Sequence, residues 1–173
     1  MATTLGNGDI TFPDGTVKSS RALTRLTPDA TFYRYTGVPS YATRIVMSIT
    51  NMAFSGTDDI IIRLIDSTGQ ELTSGYVSTS DVYSTASSSA GTSATAYWHI
   101  RRNSSTDVFS GIVTIDWYSN LYCTFTASGR TATNKVVVSG GDISSGIPTI
   151  SGVYVGISGT NTFTSGSVVA YAE

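Results

Sequence analysis

Along much of this chain apolar residues alternate with hydroxyl-bearing ones in short runs, and a run ends every dozen residues or so at Gly, Asn, Asp or Ser. In RIVMSIT, Ile45, Met47 and Ile49 fall on one side and Arg44, Ser48 and Thr50 on the other, with Val46 the exception. In GIVTIDWY, Val113, Ile115 and Trp117 oppose Thr114 and Asp116. A period of two places successive side chains on opposite faces of a pleated strand, so one face is core and the other is wet. Nothing after residue 25 sustains the 3.6-residue period of an amphipathic helix, and no helix is expected. Many short strands with turn signals between them predict an all-β sandwich or barrel.

The expected strands are Thr31–Thr36, Thr43–Asn51, Ile60–Asp66, Glu71–Ser78, Ala94–Arg102, Gly111–Ser119, Tyr122–Ser128, Asn134–Ser139, Ile150–Gly156 and Ser167–Tyr171. The run IIIRLI is apolar on both faces except at Arg63, which predicts a central strand covered twice or one at a subunit contact. Asp66 to Gln70 reads as a tight turn with Gly69 at a positive backbone angle. DVYSTASSSAGTSAT, residues 81–95, is poor in large side chains and reads as a long mobile loop, with a contact surface as its functional alternative. SSRALTRLTP, ending at Pro28, reads as a link between an N-terminal segment and the body, giving an arm over 1–28 and a β-domain over 29–173.

Composition narrows the function classes. The 173 residues carry only 13% charged side chains and a formal net charge of −2, so there is no basic field to gather nucleic acid or an anionic membrane, and neither partner is expected. The polar faces are built from Ser and Thr instead, about three residues in ten. No apolar run approaches the roughly 20 residues that span a bilayer, and no basic region followed by an apolar core opens the chain, so a soluble protein made in a cytoplasm is expected. Cys123 is the single cysteine, which rules out an intrachain disulfide and reads as a small buried hydrophobe.

Chemistry-bearing constellations are sparse. Acid–base catalysis wants groups that titrate near neutrality, and His99, in AYWHIRR, is the one histidine; it reads as a half-exposed structural imidazole. Serines abound, but no G-x-S-x-G nucleophile turn surrounds any of them. One Cys and one His cannot build a structural zinc site, and Asp58-Asp59 lacks further carboxylates at calcium-loop spacing. Ten Asp and two Glu, Glu71 and Glu173, give no marked pair for glycoside cleavage, and no glycine-rich phosphate loop opens a helix. Arg101-Arg102 reads as a solvated strand end. No catalytic, cofactor-binding or metal-binding residue is assigned, and no cofactor is expected. Ten tyrosines are a generous number and suit core packing, subunit contacts or sugar stacking, with core packing taking most of them.

The opening NGDITFPDGTVKSS alternates like a strand but is broken by Pro13 and by the turn pair Asp14-Gly15, and a hairpin of this size is marginal alone. Its apolar residues Ile10, Phe12 and Val17, with Pro13, are the candidate attachment and oligomerisation residues. This stretch resembles a segment that recurs in tail-fibre and other appendage proteins of tailed bacteriophages. The body, in YTGVPSYATRIVMSITNMAFSGTDDIIIRLIDSTGQELTSGY, GIVTIDWYS and ISGVYVGISGTNTFTSGSVVAYAE, is similar to a domain found at the ends of such fibres. The resemblance implies an antiparallel β-sandwich of jelly-roll type and a virion structural protein, usually a homotrimer, without enzyme activity. Such fibres usually carry a long shaft, whereas about 25 residues precede the body here. The expectation is therefore a short tail fibre or receptor-binding appendage anchored by its arm to other virion proteins, with a host surface glycan as a further partner. That glycan is expected at loops on the end of the sandwich distal from residue 1. The alternative is a capsid decoration or cement protein seated on the major capsid protein, and the remote alternative a carbohydrate-active enzyme.

Overall fold

The computed structural model describes residues 5–6, 9–11, 17–19, 21–22, 24–25, 31–84, 88–119, 122–132, 135–143 and 146–173. Sixteen strands are assigned and, among the described residues, no helix. In chain order they are β1 (Leu5–Gly6), β2 (Asp9–Thr11), β3 (Val17–Ser19), β4 (Arg21–Ala22), β5 (Thr24–Arg25), β6 (Phe32–Thr36), β7 (Arg44–Phe54) and β8 (Ile60–Asp66). There follow β9 (Tyr76–Ser84), β10 (Ser88–Ala94), β11 (Trp98–Ile100), β12 (Phe109–Ser119), β13 (Tyr122–Ala132), β14 (Lys135–Ile143), β15 (Ile150–Ile157) and β16 (Phe163–Ala172). The body is an antiparallel β-sandwich, as the alternation predicts. Its large sheet runs β10-β9-β14-β13-β12-β7-β16-β4 and its small sheet β11-β8-β15-β6-β5.

The inner faces carry the residues that the alternation marks. Ile45, Met47 and Ile49 of β7 and Val113 and Ile115 of β12 are buried against Ile60, Ile62 and Leu64 of β8 and Val153 and Val155 of β15. Each fully buried aliphatic or aromatic side chain stabilises the fold by about 1.5–3 kcal/mol. Trp98 anchors one side, stacked on Phe125 with ring centres 5.3 Å apart and edge-on to Tyr76 at 5.0 Å. Its indole N–H donates to the carbonyl of Asp142 at 3.1 Å, so its polar atom is satisfied where its rings are dry.

Two serines and two tyrosines join the sheets along their flanks. On one flank Ser78 and Ser80 of β9, both fully buried, accept the backbone N–H groups of His99 and Arg101 at 3.1 and 2.9 Å. Those N–H groups belong to the outermost strand of the small sheet and its exit, so hydroxyls of one sheet satisfy the open edge of the other. On the opposite flank the Tyr33 hydroxyl donates to the Gly166 carbonyl at 3.2 Å and the Tyr35 hydroxyl to the Val168 carbonyl. The spacing i, i+2 in both pairs is the strand period, which aims both hydroxyls the same way. On this flank β4 pairs with β16 and β5 with β6, so residues 21–22 extend one sheet and 24–25 the other.

Several expectations change, and β13, β14 and β16 are longer than expected, running to Ala132, to Ile143 and from Phe163. Strand β7 runs to Phe54 instead of ending at Asn51, because the buried positions shift phase from 45, 47, 49 to 52, 54 across a bulge. Asn51 sits there at φ 50°, and the pairing with both neighbours slips at the same place. Opposite it Gly166 has φ 115°, and a Cβ there would lie 2.6 Å from Met52 Cα. The strand expected from Glu71 begins at Tyr76, because the chain leaves the small sheet after one bridge, Ile65 to Glu71, and crosses to the large one. The strand expected over Ala94–Arg102 contracts to Trp98–Ile100. Residues 81–95, expected as a loop, are mostly hairpin: β9 continues to Ser84 and pairs with β10. Small hydroxyl side chains, read as loop composition, suit a strand on which bulk has nothing to fill.

Other expectations hold. The Asp66–Gln70 turn closes with Gly69 at φ 84° and its N–H on the Asp66 carbonyl at 3.0 Å. Strand β8 is covered twice, as its composition predicts, since Ile61 and Ile65 on its outer face are buried too. Arg63 beside them lies 5.7 Å from the ring centre of Tyr97 and 5.9 Å from that of Tyr154, and Tyr154 stacks on Phe32.

Candidate functional site

The strands define two ends. At the Phe54 end lie the turns 55–59, 101–108 and 158–162; at the Arg44 end lie 37–43, 67–75, 95–97, 146–149 and Glu173. Strands β4 and β5 join the sheets at the Arg44 end, by the register of Ala22 on Tyr171 and Thr24 on Thr36.

The Phe54 end is organised by a buried cation. Arg102, 3% exposed, donates to the carbonyls of Gly56, Asp58, Ser104, Ser105 and Asp107 and lies 4.3 Å from the ring centre of Phe54. This corrects the expectation of a solvated strand end: five donors in a planar fork suit a site where two turns, 55–59 and 101–108, converge their carbonyls. Burial lowers its pKa, while nearby Asp107, Asp59 and Asp58 raise it, and a guanidinium stays protonated throughout. Asp107, 1% exposed, accepts from the Asn103 N–H at 3.0 Å and from Lys135 Nζ at 2.9 Å. Asp58 and Asp59 brace turns, accepting the N–H groups of Asn161 at 3.1 Å and Arg102 at 2.8 Å. Burial pushes the Asp59 carboxyl up, and the Arg102 N–H opposes it.

His99 is also corrected, from half-exposed to 2% exposed. Its Nδ1 shares a hydrogen bond of 3.0 Å with Ser78 Oγ, whereas a serine hydrolase presents Nε2 to its serine and turns Nδ1 to a carboxylate. Here Ser78 is fully buried and already accepts the His99 N–H, so the pair is a structural tie with no substrate access. Cys123 is buried as expected, and desolvation pushes its thiol up to about 12. Among the described residues no group of three or more His, Cys, Asp and Glu side chains is placed to hold a metal ion.

The Arg44 end is different, and two clefts there share Trp117 as a wall. One, of about 210 Å³, is lined by Pro39, Ala42, Ile147, Pro148 and Ile150, with Ser40 and Thr149 at its polar side. The other, of about 420 Å³, is lined by Thr43, Arg44, Asp116, Trp117, Tyr118 and Glu173. Its frame is backbone. Thr43 and Arg44 donate to the Glu173 carbonyl at 2.7 and 3.1 Å, Glu173 donates back to Arg44 at 2.9 Å, and the Trp117 N–H reaches Thr43 at 3.0 Å. Arg44 Nε meets Asp116 Oδ1 at 2.6 Å, and Arg44 Nη1 lies 4.0 Å from Glu173 Oε2. The Asp116 bond raises the Arg44 pKa further.

Tyrosine exposure is the signal that sequence reading misjudged. Core packing was expected to take most of the ten, yet only Tyr33, Tyr35 and Tyr76 are buried, while Tyr41, Tyr83, Tyr118, Tyr122 and Tyr171 are exposed. Tyr118 is the most open of these at 76%, on the rim of the larger cleft. It follows Trp117 in GIVTIDWY, where strict alternation turns it outward; that phase was the available clue.

Of the candidate attachment residues, Ile10 and Val17 lie on β2 and β3, which pair antiparallel with Thr11 opposite Val17. Phe12 and Pro13 lie outside the described residues, as do Asp14 and Gly15. Among the described residues, both clefts lie at the end where β4 and β5 join the sheets. No protein-family model, no curated protein and no solved structure matches this chain.

Proposed function

We propose that this chain is a bacteriophage virion structural protein: a short tail-fibre or receptor-binding appendage, anchored by its N-terminal arm and acting by binding, without catalysis. The observation that carries the reading is the disposition of the chemistry-bearing groups. The cysteine is buried and the histidine, Arg102 and Asp107 are buried in structural bonds, while tyrosines and aliphatic residues face solvent on the sandwich. The one histidine and the one cysteine are sealed in, and groups that make contact area are turned out.

Homotrimer formation belongs to the same reading, supported by the outer face of the large sheet. Val138, Ser128, Ile112, Ser48 and Val169 lie side by side across five strands, and the three aliphatic residues among them are each nearly half exposed. Light scattering on the purified chain tests the trimer; a monomer at all concentrations refutes it. Quantitative mass spectrometry of purified virions tests the assignment. A few tens of copies or fewer per particle is the expected result, hundreds of copies would move the chain to the head as a decoration protein, and absence from particles refutes both.

A further inference from the structure

We propose that the larger cleft beside Trp117 is a binding site for an uncharged pyranose sugar. The inference rests on the reading of the chain as a binding module and assigns the site that does the binding, at the end joined by β4 and β5 in place of the distal loops that the resemblance implied. At about 420 Å³ the cleft falls in the size range of small-molecule sites. Its lining includes a cation, Arg44, two carboxylates, Asp116 and Glu173, and two aromatic residues, Trp117 and Tyr118.

The mixture of charges selects the ligand. An anion meets Asp116 and Glu173, and a cation meets Arg44, so either brings a repulsion into the cleft along with its attraction. A sugar hydroxyl donates and accepts at once, and it can give its proton to a carboxylate while taking one from a guanidinium. Arg44 is already fixed by its 2.6 Å bond to Asp116, so the donors and acceptors are oriented before a ligand arrives. All three charged side chains keep water contact, with side-chain exposures of 48% for Arg44, 21% for Asp116 and 48% for Glu173. The C–H face of a pyranose is the apolar surface that an aromatic ring covers, and Tyr118 offers its ring at the rim with little in the fold to hold it back. The smaller cleft across Trp117, lined by Pro39, Ala42, Ile147, Pro148 and Ile150, suits an apolar substituent such as the methyl of an N-acetyl group.

The test is saturation-transfer NMR on the purified full chain. The panel is the methyl glycosides of glucose, galactose and mannose, with N-acetylglucosamine, cationic glucosamine and anionic glucuronate. At least one neutral sugar is expected to bind at millimolar concentration, and both charged sugars to bind more weakly than their neutral parents. Tyr118→Ala should weaken that binding by about twofold to tenfold, and Asp116→Asn by about tenfold or more, with circular dichroism unchanged because both side chains stand at the surface. Silence from every neutral sugar overturns the proposal, as does charged sugar binding equal to neutral, or binding that neither variant alters. Because the assay uses no particles, its failure leaves the virion assignment standing, and absence from virions leaves the sugar site standing.

Discussion

Replacing Ser78 by alanine tests how the sandwich is closed. Ser78 Oγ accepts the His99 N–H at 3.1 Å and shares a second bond of 3.0 Å with His99 Nδ1, all at a position with no exposure. Alanine fits the space but leaves a buried N–H and a buried ring nitrogen without these partners. A buried group that loses its hydrogen bond costs about 1–3 kcal/mol, so the pair predicts a loss of about 2–4 kcal/mol. For a chain of this length that lowers the thermal midpoint by about 5–15 °C. Ser128→Ala, on the exposed face of β13, is the control and should stay within about 0.5 kcal/mol. Urea denaturation followed by circular dichroism gives the free energies, and amide hydrogen exchange should quicken at His99 far more than at Ile115 in the core. A Ser78→Ala variant as stable as the control, with His99 exchange unchanged, would refute the claim that hydroxyls of one sheet close the edge of the other.

Further predictions concern titration and packing. Burial raises the Cys123 thiol to about 12 and raises the Tyr76 phenol as well, so the unfolded chain releases these protons first. Stability is then full below about pH 9 and falls as pH rises above it, by about 1.4 kcal/mol per unit for the thiol alone; Cys123→Ala should flatten that slope in urea titrations at pH 8 to 10.5. The same thiol should resist iodoacetamide in the folded chain and react on unfolding. Asp66 accepts hydrogen bonds from Thr68 N, Thr68 Oγ1 and Gln70 N, which hold its carboxyl below 3.8. Its contribution is therefore present above that value and lost as pH falls through the lower, folded one, and carboxyl NMR should place its midpoint below those of solvated aspartates. Arg102→Met should destabilise by about 3–5 kcal/mol by leaving carbonyls of two turns unsatisfied, and Arg102→Lys should recover little, since one ammonium cannot span them; thermal melts check both.

The sheets were legible because burial repeats with the strand period. Ile45, Met47, Ile49, Val113 and Ile115 stand out as an inner face from alternation alone, and Gly69 from its turn. What alternation cannot carry is a change of phase, so Asn51, where one extra residue shifts the pattern, read as a strand end. Nor does composition separate a polar loop from an edge hairpin, and residues 81–95 were misread for that reason. Arg102 and His99 were misjudged because polarity predicts exposure on average, while burial of a polar side chain is decided by partners far away in sequence, such as Gly56 and Ser78. The larger cleft draws on three strands, with Arg44, Asp116 and Glu173 far apart in the chain. It became visible only once their register was known.

The two arginines that mark the ends of the sandwich show why recognition belongs to one end and rigidity to the other. Arg102 directs its donors to five backbone carbonyls and rests on Phe54, so its charge is answered by the fold and little is left for a ligand. Two turns tied to one buried side chain cannot separate without exposing that side chain's unmet bonds, which fixes the Phe54 end. Arg44 bonds one carboxylate, stands 4.0 Å from another and keeps nearly half of its side chain in water. A ligand there displaces solvent in place of structural bonds, and the strands that carry Arg44, Asp116 and Glu173 are neighbours in the large sheet, so the geometry is held by the ladder itself. The same residue type thus locks one end and leaves the other ready to bind, and the difference lies in what surrounds the guanidinium.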